Sequence, residues 1–430
     1  MKIKVTDKSY DEVKNIEGYR YKTPRKQRAF WRMLIKTLSA AELRAVNFKY
    51  TNEGMDQLKN DEPCLILMNH SSFTDLQIAG TILADREYHI VCTNDGFVGK
   101  EGLMRAIGCI PTRKFITDTS LIKSMKAVFD MGGSVLMFPE ASYSFDGTQT
   151  PLPLSLAKCL KMMKVPVVMI RTWGAYLRDP LYNNLQKRKA DVSARVRYVL
   201  SPEDIESKST QELYDILSAE FEYDHFREQV ERGVKITEPF RADGLHRALY
   251  KCPHCLSEGS LFGKGTNVTC NNCGVSYELT EEGKLRVNDT EGKFEYVSDW
   301  YRWEREKVRQ EIIDGTYRME EDVDIMILRD LKSIYRIGSG RLIHTSDGFE
   351  LTGADGELHY VQSGRASYSL YADYYWYELG DMICIGDNTT QYYCFPKNQG
   401  KAIVAKARLA TEEIYKLTLD NTKRSDPKEK

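Results

Sequence analysis

The residues best placed for acid–base chemistry are His70 and Asp75, in the segment LMNHSSFTDLQIAG. Among the seven histidines, His70 alone has an aspartate five residues on. On one continuous helix that separation points the two side chains apart. They meet if His70 lies on a turn leaving the apolar CLILM strand and Asp75 lies in the first turn of the next helix. Asp75 then accepts a hydrogen bond from one imidazole nitrogen, fixes the tautomer and leaves the other nitrogen free as a general base. The plainer reading is a turn histidine followed by an aspartate that merely favours a helix N-terminus.

A second set comprises Cys252, Cys255, Cys270 and Cys273, in CPHC and CNNC, with fourteen residues between the pairs. Four thiolates so spaced can surround one tetrahedral zinc and leave no open position, so the expectation is a structural zinc ribbon. His254 reads as a bystander, and two C-x-x-C pairs so close together argue against a redox role. The other six cysteines (Cys64, Cys92, Cys109, Cys159, Cys384, Cys394) lie in apolar surroundings, which favours a reducing, cytoplasmic setting.

The elements that must position these groups follow from periodicity. Short apolar strands alternate with helical stretches over residues 62–170: CLILM, LQIAGTILA, EYHIVCT, SLIKSMKAVFDM, SVLMFP, SLAKCLKMM and VPVVMI. This predicts an α/β domain. A further strand is expected over 195–200 and a helix over 211–230. Residues 300–314, WYRWEREKVRQEIID, read as a helix, and from 322 onward short strands with Gly-containing turns end in a helix over 402–417. That last outline is PH-like or GRAM-like. The fold class expected is therefore α/β, followed by a zinc ribbon and a small β-rich domain. The expected divisions are 1–50, 51–240, 241–290, 291–321 and 322–430, with a charged tail after Asn421.

Composition narrows the function. The 430 residues are 42% hydrophobic and 29% charged, with a formal net charge of −1, which argues against disorder and against charge-driven nucleic-acid binding. No run reaches the roughly 20 apolar residues needed to span a bilayer; the best, residues 154–170, is broken by Lys158, Lys161 and Lys164. Residues 18–41 carry seven basic side chains and no acidic one. On a helix over 23–45, opened by Thr23-Pro24, Arg25, Arg28, Arg32 and Lys36 share one face and Phe30, Met33, Leu34, Leu38 and Ala41 the other. Such a helix suits an anionic membrane surface; the alternative is a helix packed on the core with its charges solvated.

Four blocks in order resemble one family. NHSSFTD resembles motif I of the lysophospholipid and glycerol-phosphate acyltransferases, the PlsC-like family. GCIPTRK (108–114) looks like its motif II, FPEASYS (138–144) its motif III, and VPVVMI (165–170) its motif IV. The resemblance spans about 45–200 and implies a glycerolipid-acyltransferase-like domain at the cytoplasmic face of the membrane. It implies catalysis by His70 and Asp75, substrate binding by Gly108, Arg113, Glu140 and Ser142, and an acyl donor that is acyl-CoA or acyl-carrier protein. The acceptor implied is a membrane lysophospholipid such as 1-acylglycerol 3-phosphate.

Motif III departs from the family's Glu-Gly-Thr-Arg. Ser142 keeps a hydroxyl, Ala141 is tolerable if its backbone angle is ordinary, and Tyr143 removes a cation. This keeps open another acceptor, such as an ether-lipid, ornithine-lipid or glycolipid precursor. Lys100, Arg105 and Lys114 read as solvated. Trp300, Tyr301 and Trp303 read as an inter-domain seam, and the aromatic run 371–377 as the core and flank of the C-terminal domain. Rival classes are a non-catalytic lipid- or protein-binding scaffold and, more distantly, a nucleic-acid-binding ribbon; the acidic DTEGKFE after the ribbon speaks against the latter.

Overall fold

The computed structural model describes residues 2–116, 118–287 and 290–425. Asp289, at the head of DTEGKFE, and residues 426–430 of the charged tail lie outside them.

The apolar runs form a seven-stranded sheet. Its order is Lys49–Glu53, Ser193–Leu200, Val167–Trp173, Leu65–Met68, Ser134–Met137, Tyr88–Thr93, Cys109–Thr112. All neighbours are parallel except Val167–Trp173 with Ser193–Leu200. Leu65–Met68 is buried along its whole length, as a central strand covered on both faces must be. Helices Thr119–Asp130, Leu154–Met163 and Thr210–Glu220 pack one face, and Ala29–Ala45 with Thr74–Ile82 the other. Gly80 lets the last two helices approach: a Cβ there would lie 2.5 Å from Ile35 Cγ2.

Two helices differ from expectation. The helix expected from Thr23 begins at Ala29, because Gln27 is buried and donates to the Ile107 carbonyl at 2.7 Å, holding the preceding residues against the sheet edge. The helix expected over 211–230 is two, Thr210–Glu220 and His225–Glu231, with Asp224 capping the second through the Phe226 and Arg227 amides. The break turns Tyr223 and His225 inward.

The cysteine module is a five-stranded antiparallel sheet from Leu261–Lys264 to Thr290–Glu291. Residues 241–251 join it to the α/β domain. The Arg241 carbonyl accepts from Tyr182 Oη (3.0 Å) and Arg188 Nη2 (2.8 Å), while Arg241 Nε donates to the Leu279 carbonyl (2.5 Å). Trp300 and Tyr301, on the helix Val297–Ile313, are buried, and Trp300 Nε1 donates to the Lys251 carbonyl at 3.0 Å.

The C-terminal sheet is larger and starts earlier than expected. Its order is Leu358–Ser363, Gly348–Gly353, Ile334–Thr345, Met319–Leu328, Gln391–Pro396, Gly380–Gly386, Tyr371–Trp376. Two of its strands run 10 and 12 residues, not the short strands expected. Val5–Asp7 adds to it in parallel beside Ile334–Thr345, so the N-terminal residues bridge both halves of the chain. The sheet curls until Gln362 Oε1 accepts from the Gly386 amide at 2.9 Å, and the helix Ile403–Ser425 packs on it. Tyr371 and Trp376 leave the C-terminal core for the seam with the α/β domain, where both donate to Asp95 Oδ2, at 2.8 and 3.0 Å.

Candidate active site

The NHSS loop leaves the carboxyl end of Leu65–Met68, where ligands of parallel sheets gather. Asn69 pins it: its Oδ1 accepts from the Thr172 amide (2.8 Å) and hydroxyl (3.1 Å) on the neighbouring strand. Asp75 stands in the first turn of Thr74–Ile82. Its Oδ2 accepts from the Ser71 amide (2.7 Å) and the Ser72 amide (3.0 Å), and lies 3.1 Å from His70 Nδ1. An oxygen already serving two amides is the acceptor of that contact, so Nδ1 carries the proton and Nε2 is the free base. Nε2 makes no hydrogen bond among the described residues.

Burial pushes the Asp75 carboxyl up to about 7, with the Ser72 and Ser71 amides pulling it back. Burial, and then the charge of Lys114, push His70 well below its usual value. The imidazole is therefore neutral and able to accept a proton at neutral pH. Asp179 stands behind this pair, hydrogen-bonded to Ser72 and raised to about 7 by burial, with Asp75 adding to the rise.

Glu140 holds the histidine from the other side. Its Oε2 accepts from the His70 amide at 2.9 Å, and its Oε1 accepts from the Thr150 amide (2.8 Å) and Tyr223 Oη (2.7 Å). The imidazole lies between two rings, with centroids 4.2 Å from Phe138 and 4.0 Å from Tyr143, and its side chain is 14% exposed.

Ala141 departs from expectation. Its φ is +55°, in the left-handed region where a Cβ is strained and glycine is not. Ser142 is buried and faces the C-terminal helix, 3.4 Å from Arg408 Nη1. Gly108 is apart from the others: it precedes the edge strand Cys109–Thr112, three strands from the central strand that His70 leaves. Its φ is +88°, and a Cβ there would stand 3.0 Å from both Gln27 Nε2 and the Tyr88 carbonyl. Its role is conformational.

Arg113 follows Cys109–Thr112, three strands from that of His70, or about 14 Å. It lies 3.9 Å from Asp118 Oδ2 with 11% of its side chain exposed. Lys114, expected to be solvated, is only partly exposed; its ammonium lies 4.2 Å over the Tyr371 ring, and burial lowers its pKa.

Sequence reading missed Tyr223, Thr150 and His225. His225 Nε2 lies 3.0 Å from Ser71 Oγ and its Nδ1 3.3 Å from Glu228 Oε2, behind the NHSS loop. Tyr223 and His225 come from far along the chain, Thr150 from ten positions past Glu140, and no local pattern marks them. A groove of about 260 Å³ opens there, lined by Trp173, His225, Glu228 and Arg232 among others. None of His70, Asp75 or Glu140 lines it, so it is separate from the face on which Nε2 would act.

The four cysteine sulfurs lie within 4.8 Å of one another, with Cys252–Cys273 at 3.8 Å and Cys255–Cys270 at 3.7 Å. Tetrahedral zinc with bonds of about 2.3 Å requires sulfurs roughly 3.8 Å apart, so the donor set fits. His254 is exposed and outside the cluster.

Against known proteins, the segment carrying His70, Asp75 and Glu140 finds a match. Residues 49–173 match the family described as Acyltransferase. Among solved structures, the chain is similar to the 1-acyl-sn-glycerophosphate (LPA) acyltransferase PlsC from Thermotoga maritima, at 15% identity. That likeness covers 44% of this chain and 76% of the other, with a TM-score of 0.37. Comparison with curated proteins gives no significant match.

Proposed function

We propose that the chain is a membrane-surface O-acyltransferase that moves a fatty acyl group from acyl-CoA or acyl-carrier protein to a lysophospholipid such as 1-acylglycerol 3-phosphate. The observation that carries this reading is the His70–Asp75 contact of 3.1 Å, inside a segment of acyltransferase family, with Nε2 left free. Nε2 removes the acceptor's hydroxyl proton as that oxygen attacks the thioester carbonyl. The new C–O ester bond forms, the C–S bond breaks, and the thiolate takes the proton back from His70. Asp75 steadies the imidazolium, and Glu140 positions the histidine backbone. No acyl-enzyme is needed.

The lipid face of this reading is the exposed row on Ala29–Ala45. Phe30 is 65% and Leu38 72% exposed, with Met33 and, on the neighbouring helix segment, Phe73 and Leu76 also outward. Exposed Arg25 and Arg28 flank it. Arg32 instead turns inward, donating to the Ala84 carbonyl at 3.1 Å. An outward apolar row beside cations is suited to the anionic inner face of a membrane. Among the described residues no helix is long and apolar enough to cross a bilayer. In this reading the four cysteines hold a structural zinc, which supplies a fixed tetrahedral node and takes no part in transfer.

A second acceptor class stays in view for one reason: Arg113 stands beside Asp118 and Tyr143 takes the place of a motif III cation. An acceptor without a phosphomonoester suits such a site. The test is thiol release from palmitoyl-CoA and palmitoyl-carrier protein, with lysophosphatidic acid in anionic vesicles, for wild type and His70→Ala. Acceptor-dependent release that the substitution abolishes is expected. Activity confined to another lysolipid reassigns the acceptor, and silence with every acceptor, from folded zinc-loaded protein, removes the enzyme reading.

A further inference from the structure

Motif III is gripped from the far end of the chain. Arg408, on the helix Ile403–Ser425, is 2% exposed and reaches across to residues 142–145. Its Nη1 stands 3.4 Å from Ser142 Oγ and 3.3 Å from the Tyr143 carbonyl. Its guanidinium lies 4.3 Å over the Phe145 ring. Its Nε is held by Glu412 Oε1 at 3.3 Å; that oxygen also accepts from Ser369 Oγ at 2.7 Å, and Arg305 pairs with the other carboxylate oxygen at 2.7 Å. The guanidinium is thus fixed on one side by the C-terminal domain and aimed at the loop on the other.

That loop needs holding. Ala141 sits in a left-handed conformation that favours glycine, so released residues have an incentive to leave it. Tyr143, two residues on, supplies one of the two rings enclosing His70. We infer that Arg408 is a positioning residue of the acyltransferase site: from the C-terminal helix it fixes the conformation of residues 141–145 that lays Tyr143 over His70. The C-terminal domain thereby becomes part of the catalytic machinery.

The consequence is readable on His70 itself. The charged and titratable groups around it are Asp75 from the first turn of the next helix, Glu140 and Tyr143 from motif III, Lys114 from the strand end beyond, and Asp179 and His225 behind the loop. Arg408→Lys keeps the charge and can keep Glu412 as partner, but loses the planar fork that spans Ser142 and Tyr143. If the loop relaxes, water reaches the imidazole and its titration midpoint rises by ~1 pH unit.

The experiment is an NMR titration of histidine-labelled, zinc-loaded full chain, with the His70 signal identified by its loss in His70→Gln. Expected are an upward midpoint in Arg408→Lys, a smaller upward change in Ser142→Ala, and no further change when Arg408→Lys is added to Tyr143→Ala. An unmoved midpoint in folded Arg408→Lys or Ser142→Ala, or additive effects in the double variant, overturns the inference. The inference rests on His70 as the base, but the titration needs no turnover. A moving midpoint in a protein without acyl transfer therefore refutes the enzyme reading alone.

Discussion

Glu140→Gln is the sharpest probe of how the histidine is held. Three donors converge on this carboxylate: the Thr150 amide and Tyr223 Oη on Oε1, and the His70 amide on Oε2. Glutamine has a single acceptor oxygen. Turned to the two-donor side, it sets its NH2 against the His70 N–H, so two donors face each other in a buried site. The hydrogen bond lost is one to a charged acceptor, ~1.5–3 kcal/mol, and the stranded amide has no water to turn to. At pH 8, above the value of about 7 to which burial raises Glu140, carboxylate is compared with amide. The amide also escapes the burial cost that raises the carboxylate, so urea unfolding should show a loss of at most ~2 kcal/mol at pH 8 and a larger one at pH 5. Because the broken bond is to the backbone of His70, kcat for acyl transfer should fall ~10-fold or more. Stability unchanged within ~0.5 kcal/mol together with full kcat would mean that Glu140 does not position the histidine.

Asp75→Ala, which removes the acceptor that Nδ1–H needs, should lower kcat by ~10³-fold or more, read in the same thiol-release assay. Ala141→Gly relieves a left-handed alanine and should stabilise the chain by ~0.5–1 kcal/mol in urea unfolding. Burial raises Glu140 to about 7 from 4.5, so the folded state holds that proton longer than the unfolded one. Its share of stability is present below pH 4.5 and is lost as pH rises through 7; the decline of unfolding free energy between pH 5 and 7 should be shallower in Glu140→Gln than in wild type. Phe30→Asp with Leu38→Asp should weaken sedimentation with anionic vesicles at least ~10-fold while leaving the urea midpoint in place. Zinc removal by a chelator, or Cys252→Ser, should loosen the ribbon and red-shift the emission of Trp300, buried against Tyr277 at 4.8 Å.

What could be read from the sequence was whatever is written in short-range pattern. Strand–helix alternation placed the sheet, because fully buried parallel strands are continuous apolar runs. The turn between His70 and Asp75 followed from a stereochemical argument, since five helical positions would have separated them. The cysteine set followed from spacing. Arg113 follows from the resemblance of GCIPTRK to motif II, but a motif does not report on the sheet order, which sets it three strands from His70. Lys114, its neighbour, is the cation whose charge adds to burial in lowering the His70 pKa.

Apart from Thr150, ten positions from Glu140, the partners that sequence reading missed meet the site through contacts between distant segments. Tyr223 reaches Glu140 across 83 positions and His225 reaches Ser71 across 154. Both sit at a break that hydrophobic period alone reads as one continuous helix, because the interruption, Phe221 to Asp224, is short and partly apolar. Arg408 is more extreme, 266 positions from Ser142, in a domain whose local pattern announces only a helix over a sheet. Motif III did carry one clue. Alanine where glycine is usual, followed by Tyr143 in place of a cation, marks a loop whose strain and lost charge must be met from elsewhere in the fold. The left-handed Ala141 is that strain, and the buried Arg408 guanidinium beside residues 142–143 is the contact that ties this loop to the C-terminal helix.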